Sequence, residues 1–599
     1  MAEIRTSHFG YRVVIRMSEM TCRTPQDVMA SPLVTQIVQR FLDHLVKHDS
    51  PLLAATKDFP TNAGPGEVSE AANAIADVLR LLVDNKPAII CTMVPALSPL
   101  VESVQPLADF VDKLYDFWRD YERFLIYEGA ADASRDRAVE GHLGFVRAND
   151  DLKTLVLEAY RWIDAHLRGI WPRVYHQVPA GANIGLLVDH INWPCPGGPY
   201  AMLREIPFVR LALLELPVVL YPRKNTRKGR FAPVAHNPLD GVEITPQDWF
   251  CLPLKVGPLV IHAFFHEDYL GLASSLVNLF ELADHADARC KPDGIMVFGV
   301  DASTLGDEQT VFFEDEAEDL VLGVIGHSED VDYFGYFKKM ILTLHNVVMM
   351  RRGHLPVHGA MCHIELKDGS RSTIVIIGDS GAGKSESLEA FRVLAHDHLR
   401  AMTIIFDDMG SLSIDAEGRV IGYGTETGAF VRLDDLQPGF AFGQIDRSIF
   451  MNPHRTNARL VIPITTYDEV IAGYPVDMVL YANNFEQVDD KHPFVEMINS
   501  ADDALSVFRA AYRAAKGTTD EKGLVQTYFA NPFGPAQLRT RHEPIAERHF
   551  RAMFAAGVQV GQLRTRLGID GLEQKGPETA ARALFAHVHT MVRVPESAT

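Results

Sequence analysis

Residues 374–386 read Ile-Val-Ile-Ile-Gly-Asp-Ser-Gly-Ala-Gly-Lys-Ser-Glu. The first four are β-branched and apolar, which is typical of a short buried strand. Residues 378–385 fit the pattern G-x-x-x-x-G-K-[ST], and residues 386–394 have the composition of a helix that follows. A strand, a glycine-rich loop and a helix in this order predict a phosphate-binding loop, around which we interpret the rest of the chain.

The loop contains the groups that bind the phosphates of a nucleotide. Its glycines let successive backbone N–H groups point toward phosphate oxygens, and the start of the helix adds partial positive charge. We expect Lys384 to reach the outer phosphates and the Ser385 hydroxyl to bind the Mg²⁺ that accompanies them. ATP or GTP is therefore expected to bind along the whole loop, namely at Gly378, Asp379, Ser380, Gly381, Ala382, Gly383, Lys384, Ser385 and Glu386.

The composition is that of a globular protein with more than one domain. The chain has 599 residues, 47% of them hydrophobic, and its formal net charge of −21 disfavours nucleic acid and anionic membranes as partners. Its six cysteines include no C-x-x-C pair, which is typical of reduced thiols. Because there is no secretory signal pattern and no apolar stretch of about 18 residues, we expect a cytoplasmic location.

Three regions differ in their hydrophobic pattern, so we predict an α/β protein with three domains. Residues 1–180 form a helical N-terminal extension for packing or oligomer assembly, since apolar residues recur at helical spacing, as between Ile75 and Leu82. Residues 181–325 carry short apolar runs broken by proline and glycine, which favours a mixed α/β domain and a candidate substrate domain. Residues 326–599 contain the phosphate loop and form the nucleotide- and metal-binding domain.

A basic cluster occurs in the central region. Residues 223–230 read Arg-Lys-Asn-Thr-Arg-Lys-Gly-Arg, five basic residues in eight on a chain of negative net charge. Such a cluster could bind a small anionic substrate through Arg223, Arg227 and Arg230. It could equally be a solvated loop, and the sequence leaves both interpretations open.

A pair of histidines in the same region has the spacing of a zinc-binding helix. His262 and His266 lie four residues apart, next to Glu267. The order is not H-E-x-x-H, however, and the flanking residues are apolar and aromatic. We therefore predict a packed pair of histidines and no metal site at this position.

Several segments of the C-terminal half occur together in one enzyme family. Asp407 and Asp408 follow an apolar strand, where carboxylates are suited to hold a metal ion or its waters. The other segments are Gly335-Tyr-Phe-Lys-Lys339, His358, the stretch Glu-Thr-Gly-Ala-Phe-Val-Arg-Leu at 426–433, Asn-Ala-Arg-Leu-Val-Ile-Pro-Ile at 457–464, and the stretches 512–519 and 527–533. In this order, residues 310–599 resemble phosphoenolpyruvate carboxykinase.

The resemblance implies a fold, cofactors and roles for individual residues. In that family a lysine, a histidine and the second of two aspartates bind Mn²⁺, and the matching residues are Lys339, His358 and Asp408. Arg459 matches an arginine that contacts phosphate, and with Lys384 it would neutralise the transferred phosphoryl group. The implied reaction converts oxaloacetate and a nucleoside triphosphate to phosphoenolpyruvate, nucleoside diphosphate and CO₂. The implied fold of 326–599 is the nucleotide domain of that family.

Two departures leave the phosphoryl acceptor open. The phosphate loop and the stretch Pro356-Val-His-Gly359 resemble HPr kinase/phosphorylase more closely, and the carboxykinase substrate motif G-R-S-P-K-D is absent. In a kinase, Asp407 or Asp408 would accept the proton of a hydroxyl group on a protein or a small molecule. A third alternative is a nucleotide-binding regulatory or assembly protein whose effector is the helical N-terminal region.

Overall fold

The computed structural model of the chain consists of two units, which we describe separately. The first comprises Met1–Ile191 with Val209–Glu215, and the second comprises Asn192–Phe208 with Leu216–Thr599. Both contain helices and sheets, in agreement with the predicted α/β class. The structure describes residues 4–5, 12–17, 22–56, 59–63, 67–128, 135–169, 180–229, 231–379, 381–394, 399–433, 436, 440–515, 523–573 and 575–592.

The first unit contains a sheet whose strands neighbour one another in chain order. They are β1 (Ile4–Arg5), β2 (Arg12–Met17), β3 (Glu122–Glu128), β4 (Ile184–Asp189) and β5 (Phe208–Leu214). β2 pairs in parallel with β3, and β3 in parallel with β4. The sequence predicts a mainly helical region before residue 181, and its hydrophobic pattern does not indicate the strands β1 to β3. β2 and β3 are buried on both faces and therefore show no alternation of apolar and polar residues.

The helices of the first unit agree with the predicted hydrophobic spacing. In the helix that carries Ile75, Val78, Leu79 and Leu82, these four side chains are at most 2% exposed. The Ser69 hydroxyl accepts the Ala72 N–H and so caps the start of that helix. The helices are α1 (Pro25–Met29), α2 (Pro32–Lys47), α3 (Glu70–Leu82), α4 (Pro87–Met93), α5 (Ser98–Val101), α6 (Val104–Arg119) and α7 (Arg135–Arg168).

The second unit contains most of the strands, in four groups. One sheet has the order β8-β9-β11-β13-β12-β7, with β10 beside β8, and another has the order β22-β18-β17-β14-β15-β23-β27-β24, with β16 beside β14. The smaller groups are β19-β21-β20-β6 and β25-β26. The strands are β6 (Val218–Leu220), β7 (Ala232–Pro233), β8 (Trp249–Val256), β9 (Leu259–His266), β10 (Glu281–Leu282), β11 (Gly294–Asp301), β12 (Thr310–Asp315), β13 (Leu320–His327), β14 (Leu355–Leu366), β15 (Arg371–Ile377), β16 (Leu399–Phe406), β17 (Met409–Ile414), β18 (Val420–Gly424), β19 (Gly428–Arg432), β20 (Ile449–Met451), β21 (Arg459–Pro463), β22 (Tyr474–Pro475), β23 (Met478–Asn483), β24 (Val495–Met497), β25 (Tyr512–Ala514), β26 (Leu524–Gln526) and β27 (Gln559–Arg564).

One helix of the second unit is buried along most of its length. The longest uninterrupted run of buried helical residues lies in the helix Phe334–Arg351, whose side chains are apolar around most of its circumference. The helices are α8 (Leu270–Ser274), α9 (His285–Ala288), α10 (Phe334–Arg351), α11 (Lys384–Leu394), α12 (Phe440–Gly443), α13 (Tyr467–Ile471), α14 (Ala501–Ala510), α15 (Arg539–Ala555) and α16 (Lys575–Val592). Among the described residues, no helix combines the length and the apolar character needed to cross a membrane.

The predicted apolar strand before the phosphate loop is β15. Ile374 to Ile377 are at most 2% exposed, and β15 pairs in parallel with β23, which pairs in parallel with β27. Apolar side chains of α11 and α16 cover these strands. The parallel, fully buried strands explain why the sequence runs apolar without alternation here. The carboxyl end of β15 therefore leads directly into the loop from the core of the unit.

The histidine pair lies on a strand. His262 and His266 are both in β9, which forms a hairpin with β8. His262 is fully buried, with its ring centroid 5.0 Å from those of Trp193 and Phe208. This side chain is packed, as predicted. His266 is only partly buried and has different neighbours, which are described below.

Candidate active site

The phosphate loop connects β15 to α11, as the sequence predicts. The Gly378 N–H donates to the His358 carbonyl oxygen at 3.0 Å and so attaches the loop to β14. Gly381 and Gly383 have φ angles of +77° and +87°, which residues with a side chain rarely adopt. At Gly383 a Cβ would also lie 2.7 Å from Oγ1 of Thr565. The conformation of the loop therefore requires glycine at both positions.

Lys384 lies at the first position of α11 with 6% of its surface exposed. Its Nζ donates to the backbone carbonyl oxygen of Asp379 at 3.0 Å, and the Ala382 N–H donates to the same oxygen at 3.0 Å. The Lys384 ammonium group thus contacts the backbone of its own loop. Of the other residues predicted to bind nucleotide, Ser380 and the side chain of Ser385 lie outside the described part of the structure.

Two polar side chains support the loop from neighbouring segments. Asn484, which follows β23, donates one amide N–H to the Gly381 carbonyl oxygen and one to that of Ala514, both at 2.9 Å. The Thr565 hydroxyl donates to the Ala382 carbonyl oxygen at 2.7 Å. Because a buried hydrogen bond costs free energy to break, these contacts hold the loop backbone in one conformation.

Asp408, in the turn between β16 and β17, is the centre of a charged cluster. Lys339 Nζ lies 2.7 Å from each of its carboxylate oxygens, and His358 Nε2 lies 3.0 Å from Oδ1. The structure thus brings together the three residues assigned to the metal from sequence. Lys338 Nζ also lies 2.7 Å from Oδ2. Since consecutive helical residues project about 100° apart, both lysines of α10 reach one carboxylate from different sides.

Glu426 adds a second buried carboxylate to this cluster. Its Oε1 lies 3.5 Å from Lys338 Nζ, and its Oε2 lies 2.9 Å from the Thr425 hydroxyl oxygen. Burial raises the pKa of Glu426 to about 7; the Asp408 charge adds to the shift, and the Lys338 charge opposes it. This carboxyl group therefore changes its protonation state near neutral pH.

Burial and neighbouring charges perturb the pKa of the other members of the cluster. Burial lowers the pKa of Lys339 to about 8, with the Lys338 charge acting in the same direction and the Asp408 charge opposing it. Burial and then the Lys339 charge lower the pKa of His358. Although burial opposes both shifts, the two lysine charges hold the pKa of Asp408 well below its ordinary value, and the charges of Asp408 and Glu426 raise that of Lys338.

The hydrogen bonds of His358 fix which ring nitrogen has a lone pair. Nδ1 lies 2.6 Å from the Ala530 carbonyl oxygen, which can only accept, so Nδ1 carries the proton of the neutral ring. Nε2 therefore presents a lone pair to Asp408 Oδ1 at 3.0 Å. A cation near both atoms offsets their repulsion, and Lys339 Nζ at 2.7 Å from Oδ1 supplies one. The donor set of Asp408, His358 and a lysine with a lowered pKa fits a divalent ion that accepts nitrogen and oxygen ligands.

A buried ion pair joins the phosphate loop to β25. Arg513 Nε donates to Asp379 Oδ2 at 2.9 Å, and the other carboxylate oxygen, Oδ1, lies 3.6 Å from His358 Nδ1. The Thr527 hydroxyl lies 3.4 Å from Oδ2. Asp379 is thus the contact between the loop and the Asp408 cluster. Sequence reasoning assigns no role to Arg513, which lies in the segment 512–519. Residues 516–519 of that segment lie outside the described residues.

Arg459, the first residue of β21, is 7% exposed. Its Nε makes no hydrogen bond among the described residues, and its guanidinium lies 5.2 Å from the ring centroid of Phe430. That ring packs at 4.9 Å on Phe334, which begins α10. Asp407 is partly buried, and its charge contributes to the raised pKa of Lys338. Asp407 is thus next to the Asp408 cluster, and Arg459 is connected to α10 through the Phe430 ring.

The basic loop that precedes β7 contacts the same region. The Lys228 N–H donates to the Tyr336 hydroxyl on α10 at 3.0 Å. The Arg227 guanidinium lies 5.2 Å from the ring centroid of Phe533, and Lys339 Nζ lies 4.4 Å from that centroid. Arg227 and the candidate metal ligand Lys339 thus contact one aromatic ring.

Two other cations of the loop form ion pairs with acidic residues outside the Asp408 cluster. Arg223 pairs with Glu329 at 3.3 Å, and Lys224 pairs with Asp330 at 2.7 Å. Arg230 lies outside the described residues. Two cations of the loop are thus paired with acidic neighbours, and the binding of an anionic substrate by Arg223, Arg227 and Arg230 stays a prediction. Arg227 is the member that the structure places beside the cluster.

The chain matches no protein-family model, and no curated protein shows significant similarity to it. Its candidate site is therefore interpreted from its own geometry. The sequence pointed to Lys339, His358 and Asp408, which the structure assembles. It did not point to Lys338 or Arg513, since no local pattern distinguishes a buried basic side chain from an exposed one.

Proposed function

We propose that this chain transfers the γ-phosphoryl group of ATP or GTP in a metal-dependent reaction of the phosphoenolpyruvate carboxykinase type. The position of His358 gives the main support. Its ring joins Asp408 through Nε2 and approaches Asp379 through Nδ1, and its backbone carbonyl accepts the Gly378 N–H. The candidate metal ligands and the candidate phosphate loop are thus neighbours through His358, as a centre that transfers a phosphoryl group requires.

Lys339, His358 and Asp408 would hold Mn²⁺. A lysine binds a metal only as the neutral amine, and burial has lowered the pKa of Lys339 far enough for this form to be accessible. The ion would supply positive charge that stabilises a developing oxyanion. Lys338 keeps its proton and its contact with Asp408, so it would orient that carboxylate. Mg²⁺ would accompany the nucleotide at Ser385.

Two cations are suited to the triphosphate itself. Lys384 Nζ now donates to a carbonyl oxygen of its own loop, and a phosphate oxygen would be a stronger, charged acceptor for the same group. Arg459 is buried with an unsatisfied Nε, so an anionic ligand would satisfy a group that is otherwise costly to bury. Neutralising the three γ-phosphoryl oxygens is the main electrostatic task of such a site.

In the carboxykinase reaction, the bond between the carboxylate and the methylene carbon of oxaloacetate breaks and releases CO₂. The electron pair remains on the substrate as an enolate. The enolate oxygen then forms a bond to the γ-phosphorus, while the bond from that phosphorus to the β–γ bridging oxygen breaks and the nucleoside diphosphate leaves. Arg227 is the candidate for holding a substrate carboxylate, since a guanidinium can bind it through two parallel hydrogen bonds.

A kinase that phosphorylates a hydroxyl group is the second candidate. Two observations favour it. Arg223 is already paired with Glu329, and the carboxykinase substrate motif G-R-S-P-K-D is absent from the sequence. In that case Asp407 would accept the hydroxyl proton, because Asp408 is already engaged by two lysines and a histidine.

The proposal is tested with the full-length protein, Mn²⁺, Mg²⁺, oxaloacetate and either ATP or GTP, with products followed by ³¹P NMR. We expect phosphoenolpyruvate and nucleoside diphosphate in equal amounts, and neither with Lys384→Ala. If no phosphoenolpyruvate forms but label from [γ-³²P]ATP appears on a protein or small-molecule hydroxyl, the carboxykinase proposal is wrong and the kinase is supported. Nucleotide binding without any transfer would support the regulatory alternative.

A further inference from the structure

Three parallel strands of the second unit end at one edge of their sheet. β9 and β13 both pair in parallel with β11, which lies between them. β9 ends at His266, β11 at Asp301 and β13 at His327. Because the carboxyl ends of parallel strands meet at the same edge, the two histidines are brought together from positions 61 residues apart in sequence.

A buried aspartate lies between these histidines. Asp268 Oδ2 is 2.9 Å from His327 Nε2 and 3.3 Å from His266 Nδ1. One ligand atom from each of the three residues lies within 4.8 Å of the other two. Ligand atoms around one Zn²⁺, each about 2.0–2.2 Å from the ion, lie about 3–4 Å apart, close to the separations found here. A metal bound at His266 Nδ1 would replace the hydrogen bond that this atom accepts from the Asp268 N–H at 3.2 Å.

The backbone next to His266 makes room for its side chain. The pairing of β11 with β13 shifts in register between Phe298 and Val300, and Gly299 in this bulge has φ of +112°. A Cβ at Gly299 would lie 2.7 Å from the Cβ of His266. Bulges of this kind redirect side chains near functional sites.

The cluster is accessible from one side. The Asp268 side chain is 8% exposed, whereas those of His266 and His327 are 25% and 29% exposed. The Tyr269 ring packs 5.4 Å from that of His327, and its hydroxyl accepts the Ser328 N–H at 3.1 Å, which helps to hold the segment after β13. A partly exposed pair of imidazoles on a fixed carboxylate has both an entry path and open coordination positions.

We propose that His266, Asp268 and His327 bind one divalent transition-metal ion, Zn²⁺ or an ion of similar preference. Two imidazole nitrogens and one carboxylate oxygen are ligands that Zn²⁺ and related ions prefer over Mg²⁺ or Ca²⁺. Three protein ligands leave at least one position for water or a substrate group. The site is composed of different residues from the Asp408 cluster, and it does not depend on the phosphoryl-transfer proposal.

The first test measures metal stoichiometry. Chelator-treated protein is titrated with Co²⁺, followed by visible absorption, and with Zn²⁺, followed by calorimetry. We expect the double variant His266→Ala/His327→Ala to bind one equivalent less than wild type, with an affinity at this site lowered by at least about 100-fold. Asp268→Asn is expected to weaken the same equivalent. Binding at the Asp408 cluster is expected to remain in both variants.

The control is His492→Ala. His492 Nδ1 lies 2.9 Å from Asp489 Oδ1 in an exposed pair, so this variant removes a histidine–aspartate contact of similar length outside the proposed site. It is expected to leave the stoichiometry unchanged. Equal Zn²⁺ stoichiometry and Co²⁺ spectra for wild type and the double variant would overturn the proposal.

A second measurement needs no variant and remains informative if the double variant fails to fold. Zn²⁺ X-ray absorption spectra are recorded on the wild-type protein with Mn²⁺ and ATP present in excess to occupy the other centre. Scattering from two imidazoles supports the proposed site. Spectra with no imidazole scattering, or no bound Zn²⁺ under these conditions, contradict it.

Discussion

Arg513 Nε lies 2.9 Å from Asp379 Oδ2, and both residues are less than 10% exposed. The pair connects the second residue of the phosphate loop to β25, more than 130 residues later in the chain. Because the same aspartate approaches His358, the position of Arg513 influences both the loop and the Asp408 cluster.

Arg513→Met is expected to destabilise the protein by about 3–5 kcal/mol, because it leaves the Asp379 carboxylate buried without its charged partner. The double variant Asp379→Asn/Arg513→Met should lose less than the sum of the single variants, as expected for residues in direct contact. Urea unfolding followed by tryptophan fluorescence measures both effects. Arg582→Met is the control, since its pair with Glu578 is exposed and contributes little. Equal losses for Arg513→Met and the control would contradict the prediction.

Lys384→Ala is expected to abolish turnover and to lower the affinity for ATP and GTP. No other loop residue supplies a positive charge, and Lys384 is the cation held over the loop backbone. Calorimetric titration with each nucleotide measures the change. Lys491→Ala, at an exposed position, is the control and should bind as wild type does. Unchanged affinity and activity in Lys384→Ala would rule out the loop as the nucleotide site.

Lys339→Ala, His358→Ala and Asp408→Ala are each expected to reduce metal-dependent turnover by orders of magnitude. Losing one of three protein ligands weakens the metal and changes its geometry. Lys339→Arg should be as damaging as Lys339→Ala, because a guanidinium remains charged and cannot bind a metal. Mn²⁺ binding is followed by electron paramagnetic resonance alongside steady-state rates. A variant that binds Mn²⁺ and turns over like wild type would exclude that residue from the site.

Mn²⁺ affinity at the Asp408 cluster is expected to increase with pH. Below the Lys339 pKa of about 8 the proton on the ammonium group competes with the metal. Each unit by which the pH is lowered below this value should therefore reduce the Mn²⁺ affinity by up to about tenfold. Above pH 8 the neutral amine predominates, and the dependence should level off. Titrations between about pH 6.5 and 9 measure the slope. Lys339→Met should bind more weakly and lose this dependence; retention of the slope would assign it to another group.

Arg227→Ala is expected to raise the KM for oxaloacetate by about 100-fold, which corresponds to about 3 kcal/mol of charged hydrogen bonding. The affinity for ATP should change little. Arg223→Ala is the matched control from the same loop, because its guanidinium is paired with Glu329. Similar KM values for wild type and both variants would show that neither arginine binds the substrate.

The elements of the site that depend on local sequence could be predicted. The phosphate loop needs glycine at fixed positions, so its signal lies within one turn. The assignment of Lys339 rests on the resemblance of residues 335–339 to a family segment, since Lys338 and Lys339 look alike in local sequence. Arg513 could not be predicted, since its partner is set by how β25 packs against a loop far away in sequence. The same holds for β2 and β3, whose burial on both faces hides the period of a strand.

The histidine pair shows why spacing alone is ambiguous. A separation of four residues places two side chains on one face of a helix, and it also places them on one face of a strand because four is a multiple of two. His262 and His266 are both on β9 but have different neighbours. His262 packs against aromatic rings in the core, whereas His266, the last residue of the strand, lies beside Asp268 in a polar cluster. The partners Asp268 and His327 become neighbours only through the parallel pairing of β9, β11 and β13.

Asn484 connects the phosphate loop to β25 through hydrogen bonds. One amide group donates to Gly381 in the loop and to Ala514 at the end of β25, and its oxygen accepts the Ala514 N–H at 2.8 Å. Neither segment can shift by more than a fraction of a hydrogen-bond length without straining its contact to this side chain. Asn484 thus couples the two segments, so a displacement of Gly381 would strain the contacts of Asn484 with Ala514 at the end of β25.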